Sequence, residues 1–192
     1  MQPEAYILAF DTSAAHCAAA LLLGDRIVTR VDEMAKGQAE HLMPMLEEVL
    51  AGEGLSWRDL DGIGVGVGPG NFTGIRIAVS AARGLALGLG KPALGVNGFE
   101  ARAFGKSLPF TAEIPAPRGQ AYFQDFAKDG TAGVPYQGPA TEAAQETAAN
   151  LIAAMARIAA QRLGSDQPRP TPLYVRSADA APPRDPAPVI LP

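Results

Sequence analysis

Residues 63–89 set the tightest limit on how this chain can fold. Ile63 to Val67 is an apolar run with the length of a buried strand, and Gly68-Pro69-Gly70 is a turn that cannot continue it. From Thr73 to Leu89 the residues read as a helix, rich in Ala and Gly on one side. Small residues there let a helix lie close to a sheet. Gly90-Lys91-Pro92 stops the helix, and Ala93 to Val96 gives the next strand. A strand, a covering helix and a second strand make a crossover unit with parallel strands.

The residues before this unit read differently. Ala5 to Phe10, Cys17 to Leu23 and the alternating stretch Ile27 to Val31 are three strands. Their links, including Gly24-Asp25, are too short for anything but antiparallel neighbours. Residues 38–51 read as a helix with Leu42, Met45, Leu46 and Val49 on one stripe. Pro44, inside that stripe, predicts a kink or a later start. The result is an α/β domain over residues 1–108 with a mixed sheet and helices packed on it. Residues 109–192 form a reduced second α/β unit. It contains one strand near Tyr122–Phe126, a helix over 141–163 and an extended tail rich in proline, from Pro168 to Pro192.

Composition removes several function classes. The 192 residues carry 16 Lys and Arg against 20 Asp and Glu, a net charge of −4, which disfavours an unaided grip on nucleic acid. The single cysteine, Cys17, excludes an internal disulfide and a cysteine-cluster metal site, and His16 and His41 leave little for a histidine site. No uninterrupted apolar run reaches membrane-spanning length, and Met1–Glu4 lacks a basic leader. The expected location is the cytoplasm, without membrane attachment.

Two stretches carry candidate chemistry. The first apolar run ends on Asp11-Thr12-Ser13. A carboxylate there can hold a hydrated cation while the hydroxyls and N–H groups beyond it face a phosphate. The same residues also suit a hairpin turn, and both readings stand. The second stretch, Gly64-Val65-Gly66-Val67-Gly68-Pro69-Gly70, sets glycines at a strand end before a helix. Such a turn can receive an anion or simply bring the helix near the sheet. It misses the dinucleotide fingerprint, because Pro69 and Asn71 stand where the sixth residue is required, and no Walker lysine follows. Cys17 reads as a small core residue, His41 as the polar edge of a helix, and Arg76 and Arg83 as one face of the second helix.

Three segments together resemble the TsaB (YeaZ) family of bacterial tRNA threonylcarbamoyladenosine synthesis. They are Ile7–Ala14, Gln38–Leu46, and Gly68–Ala78 with Gly84–Gly88, joined by Pro172–Arg176 in the tail. The resemblance implies the actin/Hsp70/sugar-kinase-like fold, made of two ribonuclease-H-like halves, here with a shortened second half. It also implies kinship to the catalytic paralogue TsaD, which carries a His-x-x-x-His metal motif. Gly98 and Arg102 occupy those two positions here, and neither binds a metal at neutral pH. Where the family shows Asp-Ala-Arg-Arg-Gly-Glu-Val-Tyr, this chain has Pro115-Ala-Pro-Arg-Gly-Gln-Ala-Tyr122.

The implied role is a non-catalytic scaffold that docks to TsaD, with the ATPase TsaE completing the machinery and tRNA met only indirectly. No intrinsic metal or cofactor is expected. Asp11, Thr12, Ser13, Gly68 and Gly70 would be vestiges of a nucleotide site, with ATP or ADP held only at the interface of the complex. The first two helices imply a docking surface, shared with a homodimer in isolation, that includes His41, Leu42, Met45, Gly74, Arg76, Ala78, Ala81 and Arg83. The alternative is a nucleotide-dependent phosphotransferase using Asp11; a metallopeptidase ranks last.

Overall fold

In a computed structural model, described over residues 5–175, two sheets and four helices follow the chain in a simple order. The expectations for Met1–Glu4 and for the proline-rich residues 176–192 lie outside the described residues. Strands β1 (Tyr6–Asp11), β2 (His16–Leu23) and β3 (Arg26–Glu33) pair antiparallel. After helix α1 (Gln38–Gly52) and a short 3₁₀ turn (Trp57–Asp59), β4 (Gly62–Gly66) pairs parallel to β1, Ile7 opposite Gly62. Helix α2 (Phe72–Leu89) leads to β5 (Ala93–Val96), parallel to β4. The sheet order is β3-β2-β1-β4-β5, the mixed ribonuclease-H-like arrangement. Then come α3 (Gly98–Ala103), the antiparallel sheet β6 (Phe110–Ala116), β7 (Gln120–Phe126) and β8 (Tyr136–Pro139), and α4 (Ala148–Arg162).

The centre of the five-stranded sheet, β1, β2 and β4, is buried on both faces, while the edge strand β3 stays partly exposed. Side chains alternate along a strand, so Leu8 and Phe10 of β1 face α1 and α2, while Ile7 and Ala9 face α4. Against α4 the sheet offers mostly small residues, Ala9, Ala18, Ala20 and Gly64. A Cβ on Gly64 would stand 3.1 Å from that of Ala159. A boundary at 108/109 separates the two sheets, but α4 lies beyond it in sequence and covers the first sheet.

The structure corrects four expectations. The helix expected over 141–163 runs from Ala148 to Arg162, and residues 141–147 are non-helical. Thr147 caps it, its hydroxyl accepting from the Asn150 N–H at 3.2 Å. Of the two outcomes expected of Pro44, a kink or a later start, the later start is removed: α1 begins at Gln38 and Pro44 sits inside it on the exposed side. Helix α3 and strands β6 and β8 are additions to the elements expected. Finally, Leu42, Met45, Gly74 and Ala78, expected on a docking surface, are buried in the core between α1, α2 and the sheet. A side chain already enclosed by its own subunit is not presented to another.

Candidate functional site

The carboxyl ends of β1 and β4 open onto a cleft of about 320 Å³, the place where open α/β sheets hold ligands. Asp11, Ser13, Ala14 and His16 supply one wall, from the end of β1 and the turn into β2; Pro69 and Gly70 come from the turn before α2. Gly98, Arg102, Ile114 and Pro115 stand on α3 and β6, and α4 contributes Leu151, Ile152 and Met155. The five-stranded sheet, the second sheet and α4 therefore all contribute to it.

Asp11 is 5% exposed. Its Oδ2 accepts from the Ser13 N–H at 3.2 Å and the Ser13 hydroxyl at 2.8 Å, and His16 Nε2 lies 3.4 Å away. Its Oδ1 is buried without a hydrogen-bond partner. The carboxylate fits only because position 66 is glycine: a Cβ there would collide with it. Across the cleft, Arg102 donates from Nη1 to the Gly98 carbonyl at 3.1 Å, while its Nε is buried and unpartnered. Burial pulls the Arg102 guanidinium below its ordinary pKa, and the charges of Asp11 and Glu146 act in the opposite direction.

Of the five residues expected to be vestiges of a nucleotide site, Asp11, Ser13 and Gly70 line this cleft. Thr12 and Gly68 have other work. The Thr12 hydroxyl donates to the Gly74 carbonyl at 2.6 Å in full burial, tying β1 to the first turn of α2. Gly68 adopts φ +96°, and its carbonyl accepts from the Gly98 N–H at 2.8 Å, joining the β4 end to α3. A Cβ at Gly70 would collide with the Ser13 carbonyl. The glycine turn thus brings three chain segments into backbone contact. Sequence reasoning missed His16 as a neighbour of Asp11. It also missed Ile114 and the α4 residues as cleft walls.

The residues left for a docking surface lie on the outer side of α1 and α2. His41 Nε2 is 2.7 Å from Asp32 Oδ2. Arg30 and then His41 hold the Asp32 carboxyl below the usual range. Arg76 lies over the Phe72 ring at 3.9 Å and donates to the Tyr174 hydroxyl at 3.0 Å; Phe72 and Tyr174 stack at 5.1 Å. Arg83 is exposed, and Ala81 is half-buried at the edge of the core. Cys17 is buried against Met34 and α1, and its thiol is pushed up to about 11 by burial and then by Asp32 and Asp11. Such a thiol is not a nucleophile. Among the described residues no three His, Cys, Asp or Glu side chains stand together as a metal site.

Comparison with known proteins places these features. Residues 32–148 match the model of the family described as TsaD, tRNA N6-adenosine threonylcarbamoyltransferase. The tRNA threonylcarbamoyladenosine biosynthesis protein TsaB of Escherichia coli (strain K12) is 32% identical over 128 residues, 64% of this chain and 55% of that protein. This chain thus matches about half the length of that curated relative. An uncharacterized protein of Mycobacterium bovis, Mb3455c, is 30% identical over 209 residues, covering 92% of this chain and 94% of its own length. Among solved structures, YeaZ from Pseudomonas aeruginosa superposes with a TM-score of 0.70 at 25% identity, covering 88% of this chain and 99% of that one.

Proposed function

This chain belongs to the TsaD family, on its TsaB (YeaZ) branch, and we propose that it serves tRNA threonylcarbamoyladenosine formation as a non-catalytic scaffold for a TsaD paralogue. The paralogue would perform the transfer to the adenosine beside the anticodon, with a TsaE-type ATPase completing the assembly and tRNA met through the complex. The acidic balance of the chain favours that indirect contact. Gly98 and Arg102 at the histidine positions favour a subunit that leaves metal chemistry to its partner. The chain would act in the cytoplasm and bind no nucleotide by itself. In support, Thr12 is committed to Gly74, and Asp11 Oδ2 to Ser13.

One observation carries the docking. Helix α2 is long and apolar enough in composition to cross a membrane, yet it is a sheet-packed helix with only 28% of its residues buried. Its outer side shows Leu87 at 86% exposure and Phe72 at 40%, with Gly84 and Gly88 facing open space. A nearly fully exposed leucine flanked by two glycines on open space supports a docking role for this end of the helix. Gly84 and Gly88 let a partner helix approach closely, and Arg83 supplies charge at the rim. In the absence of TsaD a second copy would take the same face.

Co-expression with the TsaD paralogue of the same genome, followed by sedimentation velocity, tests this. The wild-type chain is expected to sediment with TsaD. Leu87→Glu is expected to keep its circular dichroism and thermal midpoint, because the site is solvent-facing, and to lose the complex. Failure of the wild type to associate, or an unchanged complex with Leu87→Glu, would overturn the assignment.

A further inference from the structure

We propose that the cleft between Asp11 and Arg102 binds a small zwitterion, an α-amino acid with an aliphatic side chain. This goes beyond the scaffold role and does not depend on docking to any partner. Opposite charges line one cavity, yet Arg102 and Asp11 make no ion pair within 4.0 Å. Local bonds hold each of them in place. Arg102 is turned toward its own helix by the Gly98 carbonyl, and Asp11 is fixed by Ser13 with His16 beside it.

Each of the two charged groups also keeps one unsatisfied atom, Arg102 Nε and Asp11 Oδ1, below the surface where water does not reach it. Buried polar groups normally find partners, and an unmet one on a charged side chain is costly. Those two atoms are sealed off, Asp11 Oδ1 against Gly66, so a ligand in the cleft meets the edges of the two side chains that line it. Its carboxylate accepts from the guanidinium, as planar Arg forks favour, and its ammonium donates to the Asp11 carboxylate.

The remaining walls set the side chain. Ala18, Ile114, Leu151, Ile152 and Met155 form an apolar surface beside the charged pair. They suit a branched aliphatic group; Gln145, which also lines the cleft, donates its side-chain amide to the Ala143 carbonyl at 3.3 Å. Glu146 also borders the cleft, but its carboxylate is engaged by the Lys106 ammonium and by the Asn150 amide at 3.3 Å. The volume, about 320 Å³, lies at the small end of the range for ligand clefts.

The test is calorimetric titration of the full chain with L-leucine and L-valine. Two half-ligands accompany them: 4-methylpentanoate, which keeps the carboxylate, and 3-methylbutylamine, which keeps the amine. Saturable binding of an intact amino acid at millimolar concentration is expected, with each half-ligand at least about tenfold weaker. Arg102→Gln and Asp11→Asn are each expected to weaken binding by a similar factor. Should either variant unfold, methyl NMR of the wild type provides a second readout, with shifts expected at Ile114, Ile152 and Met155 and none at Leu87. No saturable binding up to about 20 mM would overturn the proposal. So would half-ligands that bind as tightly as the amino acid, or a nucleotide that binds the cleft without competition from it.

Discussion

The two ends of α2 use the same residue types for opposite purposes. At its start, Gly74 lies against β1 so closely that a Cβ would collide with the Thr12 carbonyl, and the Thr12 hydroxyl returns a bond to the Gly74 carbonyl. Toward its end, a Cβ added at Gly84 or Gly88 would meet nothing within 4 Å, and Leu87 stands almost fully exposed. Small residues at the first end seal a subunit; at the second they leave a surface on which another helix can settle. A stripe of Gly and Ala is therefore not one signal. Its meaning depends on which side of the helix the sheet takes.

Core truncation against surface truncation is the widest test of that contrast. Leu42→Ala, on the enclosed side of α1, is expected to cost about 2–5 kcal/mol in urea unfolding. Leu87→Ala is expected to stay within about 0.5 kcal/mol. Equal losses would erase the distinction between the two faces.

A sharper version changes only glycines, and here the sign decides. Gly74→Ala should destabilise by about 1–3 kcal/mol, because the obstacle is the buried backbone of Thr12 just past the end of β1. Gly84→Ala should stabilise by up to about 1 kcal/mol through helix propensity in open space. Thermal midpoints moving in the same direction for both would break the comparison.

Smaller still is the aromatic cluster beside the first turn of α2. Tyr174→Phe removes the bond from Arg76 but keeps the stack on Phe72. Since the cluster is exposed, the loss should be about 0.5–1 kcal/mol, and amide hydrogen exchange at Leu173, Tyr174 and Val175 should rise ahead of any global change.

The smallest effect is electrostatic. Asp32 is held below its ordinary pKa by Arg30 and then His41. Its stabilisation is therefore present above the unfolded carboxylate pKa of about 3.9 and is lost as pH falls through the folded value. Because the group is partly solvated, this amounts to less than about 1 kcal/mol. Comparing urea midpoints of wild type and Asp32→Asn at pH 6 and at pH 3 measures it; the gap should narrow at the lower pH.

Strands β1–β5 and helices α1 and α2 were legible because their apolar residues repeat at strand or helix spacing within one window. In the second half β7 and most of α4 were legible in the same way, and the rest was not, for local reasons. Pro115 argues against a strand, and β6 tolerates it only because it is an edge strand. Helix α3 is six residues long, too short for a period, although Asn97 and Glu100 form a capping box that could have marked its start. Residues 141–147 have helix-forming composition but no face to bury, and tertiary packing decides in such cases. The cleft was half visible. Asp11, Ser13 and Gly70 sit at strand ends and could be found, whereas Ile114, Ile152 and Met155 join Asp11 from more than a hundred residues away in sequence.

That long reach of α4 has a consequence for synthesis on the ribosome. Ile7, Ala9, Ala18 and Ala20 emerge early, yet the helix that covers them ends at Arg162. At roughly 5–20 residues per second, the face waits several seconds after β5 has left the exit tunnel. During that interval the nascent chain carries a completed β-sheet with one bare apolar side. Chaperone occupancy on stalled chains should accordingly peak for lengths between β5 and α4 and fall once Ile152, Met155 and Ala159 are free to close over the sheet.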